Sequence, residues 1–259
     1  MSRLPLIIGH RGASALAPEN TLAAFRRAIN DGADGIEFDV RLAKDGVAVV
    51  IHDATLERTG SIPSRVSRLT VAELNAVDVG GWFRSSEGSR SFEGEKVPSL
   101  QQVFDLYSDN DGLLYLEMKE EPGAGNELVA EVVRMIQLSP LRDRVIVECF
   151  ELSLIARVKQ IDSTIRTAAL FEPKLSRPVS FVRPKLASVA QAHGADEIAL
   201  HHRLASPRVI ENALRLGLSV IVWTVDDPEW VTKAQTMGVT ALITNDPSRL
   251  LSRRNPSSV

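Results

Sequence analysis

The sequence has neither the cysteines for a disulfide nor the apolar runs for a membrane span. Its 259 residues include a single cysteine, Cys149, which excludes an intrachain disulfide. The first residues lead directly into a short strand-like run and lack the apolar core of a secretory signal peptide. No apolar run approaches the ~20 residues that a membrane-spanning helix needs, so no stable membrane insertion is expected. These absences favour a cytoplasmic protein.

The sequence also lacks an excess of positive charge. Its 30 Lys and Arg residues are outnumbered by 33 Asp and Glu residues, and the formal net charge is −3 at pH 7. The arginines are scattered, so the composition gives no reason to expect a nucleic-acid partner. With 44% hydrophobic and 24% charged residues, the composition is that of an ordinary globular protein. The length permits one large domain or two small ones.

Two acidic residues, Glu37 and Asp39, interrupt an apolar run that has the composition of a strand. Residues two apart in a strand point to the same face, so both carboxylates project together. A tight turn centred on Lys44-Asp45 is expected to send the chain back. This hairpin would place Asp39 opposite Val50 and Glu37 opposite His52. The segment therefore predicts two acids and an imidazole around one small volume.

From Val97 onward, strand-like and helix-like segments alternate with short connections. Such repeats are typical of a parallel sheet covered by helices. The chain contains nine strand-like runs, and leaving out the return arm of the hairpin leaves the eight strands of a (β/α)8 TIM-type barrel. An open doubly wound α/β sheet is the alternative, but no G-x-G-x-x-G phosphate-binding motif opens any helix.

Residues 54–96 differ in composition from the rest of the chain. They are rich in Ser, Arg, Glu and Gly, and their helical signal is short, from Thr70 to Ala76. A Thr-x-x-Glu capping pattern opens that helix. Scattered apolar residues such as Ile62 and Val66 can anchor the segment. We interpret residues 54–96 as a small inserted subdomain within a single domain spanning residues 1–259.

Polar residues gather at the predicted ends of the barrel strands, where TIM-type barrels carry their active sites. They come from four predicted strands and from the end of the hairpin arm. These candidates are His10, Arg11, Glu37, Asp39, His52, Glu117, Lys119 and Trp223. We therefore expect segments far apart in the sequence to supply acids, bases and imidazoles to one rim.

Three of the candidates are carboxylates. Glu37, Asp39 and Glu117 suit an all-oxygen site for Mg²⁺ or Ca²⁺, whereas zinc favours Cys and His ligands. Like charges this close raise each other's pKa unless a cation neutralises them, which favours a metal site. The alternative is structural, because a buried acid is often half of a salt bridge. Lys119 is a candidate partner for Glu117.

Two histidines complete the candidate chemistry. His10 and His52 form a candidate acid–base pair, and we assign His10 as the base and His52 as the acid as a hypothesis. Arg11 is suited to bidentate phosphate binding and Lys119 to point-charge binding. Metal, Arg, Lys and two histidines together indicate a phosphoester substrate. Trp223 is equally compatible with a substrate wall and with barrel packing.

Several short motifs occur in order between about residue 6 and residue 250. They are Gly9-His10-Arg11-Gly12, Ala17-Pro18-Glu19-Asn20-Thr21, Glu37-Phe38-Asp39-Val40, Asp45-Gly46, His52-Asp53, Leu56, Arg58-Thr59, Leu116-Glu117-Met118-Lys119 and Val222-Trp223-Thr224-Val225. On these motifs the chain resembles the glycerophosphodiester phosphodiesterase family.

The resemblance implies a TIM-type barrel with a small insertion matching residues 54–96. It implies hydrolysis of glycerophosphodiesters to sn-glycerol 3-phosphate and an alcohol, with a glycerol hydroxyl attacking phosphorus through a cyclic phosphate that is then hydrolysed. It also implies roles for residues at matching positions. These are a divalent cation at Glu37, Asp39 and Glu117, acid–base catalysis by His10 and His52, and phosphate binding by Arg11 and Lys119.

The chain departs from the family pattern at the side of the site that would hold the alcohol. Family members often have Ser-Phe where this chain has Cys149-Phe150, and Asn where it has Asp226. His201-His202 has no inherited role and is expected at the surface or rim.

Other activities remain open at this stage. One is a lysophospholipase D-type reaction on a lipid, for which Trp82-Phe83 would have to line an apolar groove. Another is a non-catalytic phosphate-binding barrel, and a sugar-phosphate isomerase or aldolase is disfavoured because it leaves the paired histidines unexplained. The expected partner is a small glycerophosphodiester, and the sequence leaves a homodimer open.

Overall fold

The computed structural model describes residues 4–84, 91–119, 125–173 and 185–255. Its strands are β1 (Leu6–His10), β2 (Gly35–Leu42), β3 (Ala48–Val50), β4 (Leu113–Met118), β5 (Val145–Cys149), β6 (Arg166–Phe171), β7 (Glu197–His201), β8 (Ser219–Trp223) and β9 (Ala241–Thr244). Its helices are α1 (Leu22–Asn30), α2 (Glu57–Gly60), α3 (Val71–Leu74), α4 (Leu100–Leu106), α5 (Gly125–Leu138), α6 (Leu152–Ile161), α7 (Leu186–Ala192), α8 (Pro207–Arg215), α9 (Glu229–Met237) and α10 (Pro247–Arg254).

Eight of the strands form a closed parallel barrel. The neighbours run β1-β9-β8-β7-β6-β5-β4-β2, and β1 also pairs with β2, which closes the ring. The remaining strand, β3, pairs antiparallel with β2 as the return arm of the hairpin. The expected TIM-type barrel with an added hairpin arm is therefore confirmed. Within the described ranges, no helix is both long enough and apolar enough to cross a bilayer.

The hairpin register differs by one residue from the sequence expectation. Val40 lies opposite Val50, and the backbone N–H of Ile51 donates to Asp39 O at 2.9 Å. Asp39 is thus opposite Ile51, and the expected pairing of Asp39 with Val50 and Glu37 with His52 is wrong. The cause is a longer turn, closed by the Ala43 N–H donating to Val47 O at 2.9 Å. Its last residue, Gly46, has a left-handed φ of +78°, as three-residue hairpin loops require.

The two faces of β2 separate apolar from acidic side chains. Phe38 is fully buried against α1, where its ring centroid lies 5.9 Å from that of Phe25. Truncating such a buried phenylalanine to alanine costs about 3–5 kcal/mol of unfolding free energy. Glu37 and Asp39 alternate with Phe38 and point to the barrel interior, as predicted from strand periodicity.

The described part of residues 54–96 packs against the outer side of the hairpin. Its short helix α3 carries the predicted capping box, in which Glu73 N donates to Thr70 Oγ1 and the Glu73 carboxylate accepts from Thr70 N. Buried residues of the segment share one cluster with the hairpin arm, namely Leu56, Val66, Leu74, Val77 and Val79 with Val49 and Ile51. The expected anchor Ile62 is instead 37% exposed. The division into a domain with an inserted subdomain stays a prediction.

Candidate active site

A cavity of about 200 Å³ opens at the C-terminal ends of the barrel strands. Seven of the eight predicted site residues line it, and Asp39, the eighth, forms ion pairs with two of them. The lining residues are His10, Arg11, Glu37, His52, Glu117, Lys119, Glu148, Phe150, Leu170, Glu172, Trp223 and Ile243. A larger outer groove of about 490 Å³, beside α9, contains none of the predicted residues.

The three predicted carboxylates converge at the cavity. One oxygen from each of Glu37, Asp39 and Glu117 lies within 4.8 Å of the other two. Strand geometry explains this, because Glu37 and Asp39 share one face of β2 and Asp39 pairs in register with Glu117 on β4. All three residues are buried. The cluster therefore joins two neighbouring strands whose register was not visible in the sequence.

Burial and mutual repulsion make it unfavourable for all three carboxyl groups of this cluster to be ionised at once. Burial and the charge of Asp39 raise the pKa of Glu37 well above its usual value, and they raise that of Glu117 to about 7. For Asp39, burial is outweighed by Lys119 and then Arg11, which hold its pKa well below the usual range. The positive charges of Lys119 and Arg11 thus stabilise the ionised form of Asp39, whereas Glu37 and Glu117 are poorly compensated.

The contacts of Lys119 bear on the structural alternative for Glu117. Lys119 Nζ lies 2.5 Å from Glu117 Oε1 and 3.0 Å from Asp39 Oδ1, so the proposed salt bridge does form. The pKa of Glu117 nevertheless stays raised to about 7, mainly because of burial. The donors are all carboxylate oxygens at short mutual distances, which fits a hard divalent cation such as Mg²⁺ or Ca²⁺.

His10 ends β1 and is held by a residue from the far end of the chain. Its Nδ1 lies 2.7 Å from Asn245 Oδ1, and its Nε2 lies 3.8 Å from Glu37 Oε2. Burial and the neighbouring Arg11 lower the pKa of His10 to about 4. His10 is therefore a neutral imidazole at neutral pH.

His52 follows the hairpin arm and has a different partner. Its Nδ1 lies 2.7 Å from Asp53 Oδ1. Arg58 Nε donates to Asp53 Oδ2 at 2.6 Å, and its two terminal nitrogens donate to the Glu19 carboxylate at 2.8 and 2.7 Å. Burial lowers the pKa of His52, although the carboxylate of Asp39 acts in the opposite direction. The His52 ring is thus oriented by an ionic network on the insertion side of the cavity.

Arg11 reaches the cavity through an unusual backbone turn. Arg11 and Gly12 have left-handed φ values of +54° and +82°. A Cβ on Gly12 would lie 2.6 Å from the Ala24 backbone, so glycine is needed there. In this turn the Arg11 N–H donates to Glu37 Oε2 at 3.0 Å, and Nη1 donates to Glu19 Oε1 at 2.7 Å. The backbone N–H of Arg11 thus binds the acidic cluster at Glu37, and its guanidinium brings positive charge to Asp39, with Nε 3.3 Å from Asp39 Oδ2.

Trp223 forms one wall of the cavity, at the end of β8. Its ring makes edge contacts with Phe150 and His201, with centroid distances of 5.6 and 5.2 Å. Its indole Nε1 is buried and has no acceptor among the described residues. His201 and His202 stack at 4.2 Å beside it, which confirms the rim position expected for them. Trp223 therefore lines the cavity and packs at the end of the barrel, and its contact with substrate stays a prediction.

Trp82 and Phe83, considered above as groove residues, do not line this cavity. Trp82 Nε1 donates to Val79 O at 2.8 Å, and Phe83 packs edge-on against Phe92 with centroids 5.6 Å apart. Both rings are engaged within the segment after the hairpin.

The sequence analysis did not include Asn20 among the site residues. Thr21 is the N-cap of α1, and Asn20 adopts a left-handed φ of +57°. Asn20 Nδ2 donates to Asp39 Oδ2 at 2.7 Å, and Asp39 N donates to Asn20 Oδ1 at 3.2 Å. The signal was its place in the Pro-Glu-Asn-Thr motif.

Glu148 was missed as well. It is 1% exposed, lines the cavity, and pairs in register with Glu117 across β4 and β5. Its Oε2 is buried with no hydrogen-bond partner among the described residues. Burial, and then repulsion from Glu37 and Glu117, raise its pKa well above the usual value. A lone acid in the apolar run Val145–Cys149 could have signalled it.

Comparisons with known proteins agree with this geometry. The model of the glycerophosphoryl diester phosphodiesterase family matches residues 10–249. A glycerophosphodiester phosphodiesterase of Caldanaerobacter subterraneus subsp. tengcongensis is 33% identical over 248 residues, which cover 95% of this chain and 96% of that protein.

Two solved structures are similar throughout. A putative glycerophosphoryl diester phosphodiesterase from Silicibacter pomeroyi has a TM-score of 0.87 and 28% identity, covering 99% of this chain and 95% of that one. A phosphodiesterase from Oleispira antarctica, solved with the product sn-glycerol-3-phosphate, has a TM-score of 0.84 and 25% identity, covering 96% of each chain. The chain thus belongs to the glycerophosphoryl diester phosphodiesterase family and is a phosphoric diester hydrolase.

Proposed function

We propose that the protein hydrolyses glycerophosphodiesters to sn-glycerol 3-phosphate and an alcohol, with a divalent cation and a pair of histidines. One observation carries the proposal: a single cavity of about 200 Å³ brings together two imidazoles, two cationic side chains and the acidic cluster. That volume suits the small glycerophosphate group. The relative solved with sn-glycerol-3-phosphate supports the choice of product.

Glu37, Asp39 and Glu117 would hold the cation, Mg²⁺ or Ca²⁺. When bound, the cation supplies positive charge for the phosphoryl oxygens and for the buried carboxylates. Arg11 and Lys119 lie at the same cluster and would bind the phosphate from its other side. Their ion pairs with Asp39 fix both side chains beside the cavity before substrate enters.

We assign His10 as the general base of the first step. It is neutral because burial and Arg11 lower its pKa to about 4, so a ring nitrogen has a free lone pair at neutral pH. In this scheme His10 takes the proton of the glycerol hydroxyl while that oxygen bonds to phosphorus. The proton stays on His10 until the second step.

We assign His52 as the general acid, because Asp53 is placed to stabilise its protonated form. His52 gives its proton to the alcohol oxygen as the bond from phosphorus to that oxygen breaks. In the second step, a water loses a proton to His52 and attacks the cyclic phosphate. The ring oxygen leaves with the proton from His10, which restores both histidines and completes one hydrolysis.

The first test is release of sn-glycerol 3-phosphate from glycerophosphocholine by the purified protein, with EDTA and then with added Mg²⁺ or Ca²⁺. We expect EDTA to abolish turnover and one of the cations to restore it. Turnover unaffected by EDTA would contradict the metal centre. No turnover on several glycerophosphodiesters, with cation present and the protein folded, would contradict the substrate class.

The acid–base assignment has its own test. The single variants His10→Ala and His52→Ala are compared on glycerophosphocholine and on an analogue whose leaving group needs no protonation. Each variant should lose about 10²- to 10⁴-fold in kcat on the natural substrate. The analogue should rescue His52→Ala selectively. If the analogue rescued both variants equally, or rescued neither, the result would contradict the assignment.

A further inference from the structure

Asn245 contacts His10 in an orientation that its other partner determines. It directly follows β9, and its Oδ1 lies 2.7 Å from His10 Nδ1. On its other side, Asn245 Nδ2 donates to Asp226 Oδ2 at 2.7 Å, and Asn245 N donates to Asp226 Oδ1 at 2.8 Å. A carboxylate that accepts these bonds cannot also donate, so the amide nitrogen must face Asp226. The amide oxygen then faces His10.

Two hydroxyl groups support the same arrangement. Thr244 Oγ1 donates to Asp226 Oδ1 at 2.9 Å, which holds the carboxylate beside Asn245. Ser14 Oγ lies 3.0 Å from Asn245 Oδ1 and can donate to it, which is compatible with the same orientation. A flipped amide would place its NH₂ group against Ser14 and its oxygen against the Asp226 carboxylate. The flipped state would therefore lose its bonds to Asp226 and bring two acceptors together.

The orientation of Asn245 decides which nitrogen of His10 carries the proton. An amide oxygen only accepts, so His10 Nδ1 must be the N–H donor. Neutral imidazole has one N–H, which leaves a lone pair on Nε2. Nε2 is the nitrogen on the side of Glu37, at 3.8 Å. We propose that Asn245 and Asp226 are positioning residues that hold His10 as its Nδ1–H tautomer and so present Nε2 as the base. This role in catalysis depends on the proposed function, whereas the tautomer can be measured separately.

The two histidines are thus given unequal partners. His10 donates to a neutral amide, which supports a neutral ring that can accept a proton. His52 lies against the Asp53 carboxylate, which supports a charged ring that can give one up. The difference comes from hydrogen-bond partners on opposite sides of the cavity.

The hydrogen bonds of the pair also explain why an acid suits position 226. An amide at position 226 would offer one acceptor oxygen and one NH₂ group to partners that include three donors. These donors are the Thr244 hydroxyl and the backbone and side-chain N–H groups of Asn245. Asp226 and Asn245 are therefore a matched pair. Exchanging the two residues reverses the bond between their side chains but keeps an acceptor oxygen at position 245 facing His10 Nδ1.

The test is ¹⁵N–¹H NMR of the metal-bound protein labelled at its histidine rings, combined with steady-state kinetics. In the unmodified protein, His10 should show a protonated Nδ1 and an unprotonated Nε2. Asn245→Ala should give mixed tautomers, with kcat falling about tenfold to a hundredfold because part of the effect of a general base is lost. Asn212→Ala, at an asparagine of α8, serves as the matched control.

The exchanged pair supplies the sharper comparison. Asn245→Asp alone sets two carboxylates against each other and should lower kcat. The double variant Asp226→Asn/Asn245→Asp should recover the Nδ1–H tautomer and at least tenfold of the lost kcat. A protonated Nε2 in the unmodified protein, or a tautomer unchanged in Asn245→Ala, would overturn the proposal. The protein could fail to hydrolyse glycerophosphodiesters while its His10 tautomer still depends on Asn245. That result would refute the proposed function and leave the tautomer assignment standing. An unchanged kcat in a folded Asn245→Ala protein with mixed tautomers would overturn the catalytic role.

Discussion

The two halves of the barrel contribute different chemistry to the same cavity. Strands β1, β2, β4 and β5, with the loops that follow, supply charged or ionisable groups, namely His10, Arg11, Glu37, Glu117, Lys119 and Glu148. Strands β6, β8 and β9 supply Leu170, Trp223 and Ile243. Two lining residues are exceptions, namely the exposed Glu172 after β6 and the apolar Phe150 after β5. On the proposed function, the phosphate and cation would lie over the charged half and the alcohol over the apolar half.

Buried carboxyl groups in the two halves also differ in how well they are paired. Glu197 on β7 contacts Arg166 and accepts from the hydroxyl of Tyr115 at 3.1 Å. Glu148 on β5 has an oxygen with no partner among the described residues. Partners offset part of the cost of burying an acid, whereas a buried acid without partners raises the free energy of the metal-free protein. Unpaired acid is thus concentrated where a cation is expected.

The largest expected effect comes from removing one charge of the acidic cluster. Glu37→Gln should abolish tight cation binding and lower kcat/KM by about a thousandfold or more, because a cation supplies several kcal/mol of charge stabilisation. Calorimetric titration with Mg²⁺ or Ca²⁺ measures the binding. Glu197→Gln is the matched control, since it neutralises a buried glutamate away from the cavity. Equal cation affinity in the two variants would refute the metal site.

A smaller loss is expected at the partner of His52. Asp53→Asn should lower kcat about tenfold to a hundredfold, since the protonated form of His52 loses its carboxylate and acid–base catalysis as a whole contributes about 10²- to 10⁴-fold. The effect should disappear on an analogue with an activated leaving group. Asp162→Asn, which removes a carboxylate from an ion pair with Arg142 far from the cavity, serves as control. An equal loss of kcat on both substrates would contradict the role of Asp53.

The stability of the metal-free protein should fall as pH rises from 6.5 to 8. The pKa of Glu117 is about 7 in the folded protein and that of an unperturbed glutamate is 4.5, so its stabilising contribution is complete below pH 4.5 and is lost as pH rises through 7. The lowered histidine pKa values act in the opposite direction, and this effect fades as the unfolded-state imidazoles lose their protons at about pH 6.5 to 7.5. The raised pKa values of Glu37 and Glu148 act in the same direction as that of Glu117. Thermal melting with EDTA measures the trend, and saturating cation should remove it. A melting temperature that is flat over this window, or equally steep in Glu117→Gln, would contradict the explanation.

The smallest expected effect lies in the apolar half. Trp223→Leu should raise KM about threefold to tenfold with little change in kcat, because the wall contributes contact area and an indole donor but no charge. Trp230→Leu, which changes a tryptophan of the outer groove, should leave both constants unchanged. A thousandfold loss of kcat in Trp223→Leu would show that the apolar half takes part in the chemistry.

Much of the architecture follows from local patterns in the sequence. Alternating strand and helix segments predicted the eight barrel strands, which the structure contains. Period-two spacing placed Glu37 and Asp39 on one face of β2. These predictions succeed because each depends on residues within a few positions of one another.

The hairpin shows where local reasoning stops. A loop one residue longer than expected shifts every pair along β2 and β3, and composition alone does not separate two-residue from three-residue turns. His52 still reaches the cavity, since it lies beyond the last paired residue of β3.

Local sequence patterns are enough to predict the strand–helix order, the shared face of Glu37 and Asp39, and the residue types that meet at the rim. Tertiary structure alone decided which of those residues touch. Asn245 reaches His10 across 235 positions, and Glu148 comes beside Glu117 through strand register. The physical reason is barrel closure: pairing β1 with both β2 and β9 brings the ends of the chain together. Which partner a buried polar group meets therefore depends on the position of every strand that lies between the two residues in the sequence.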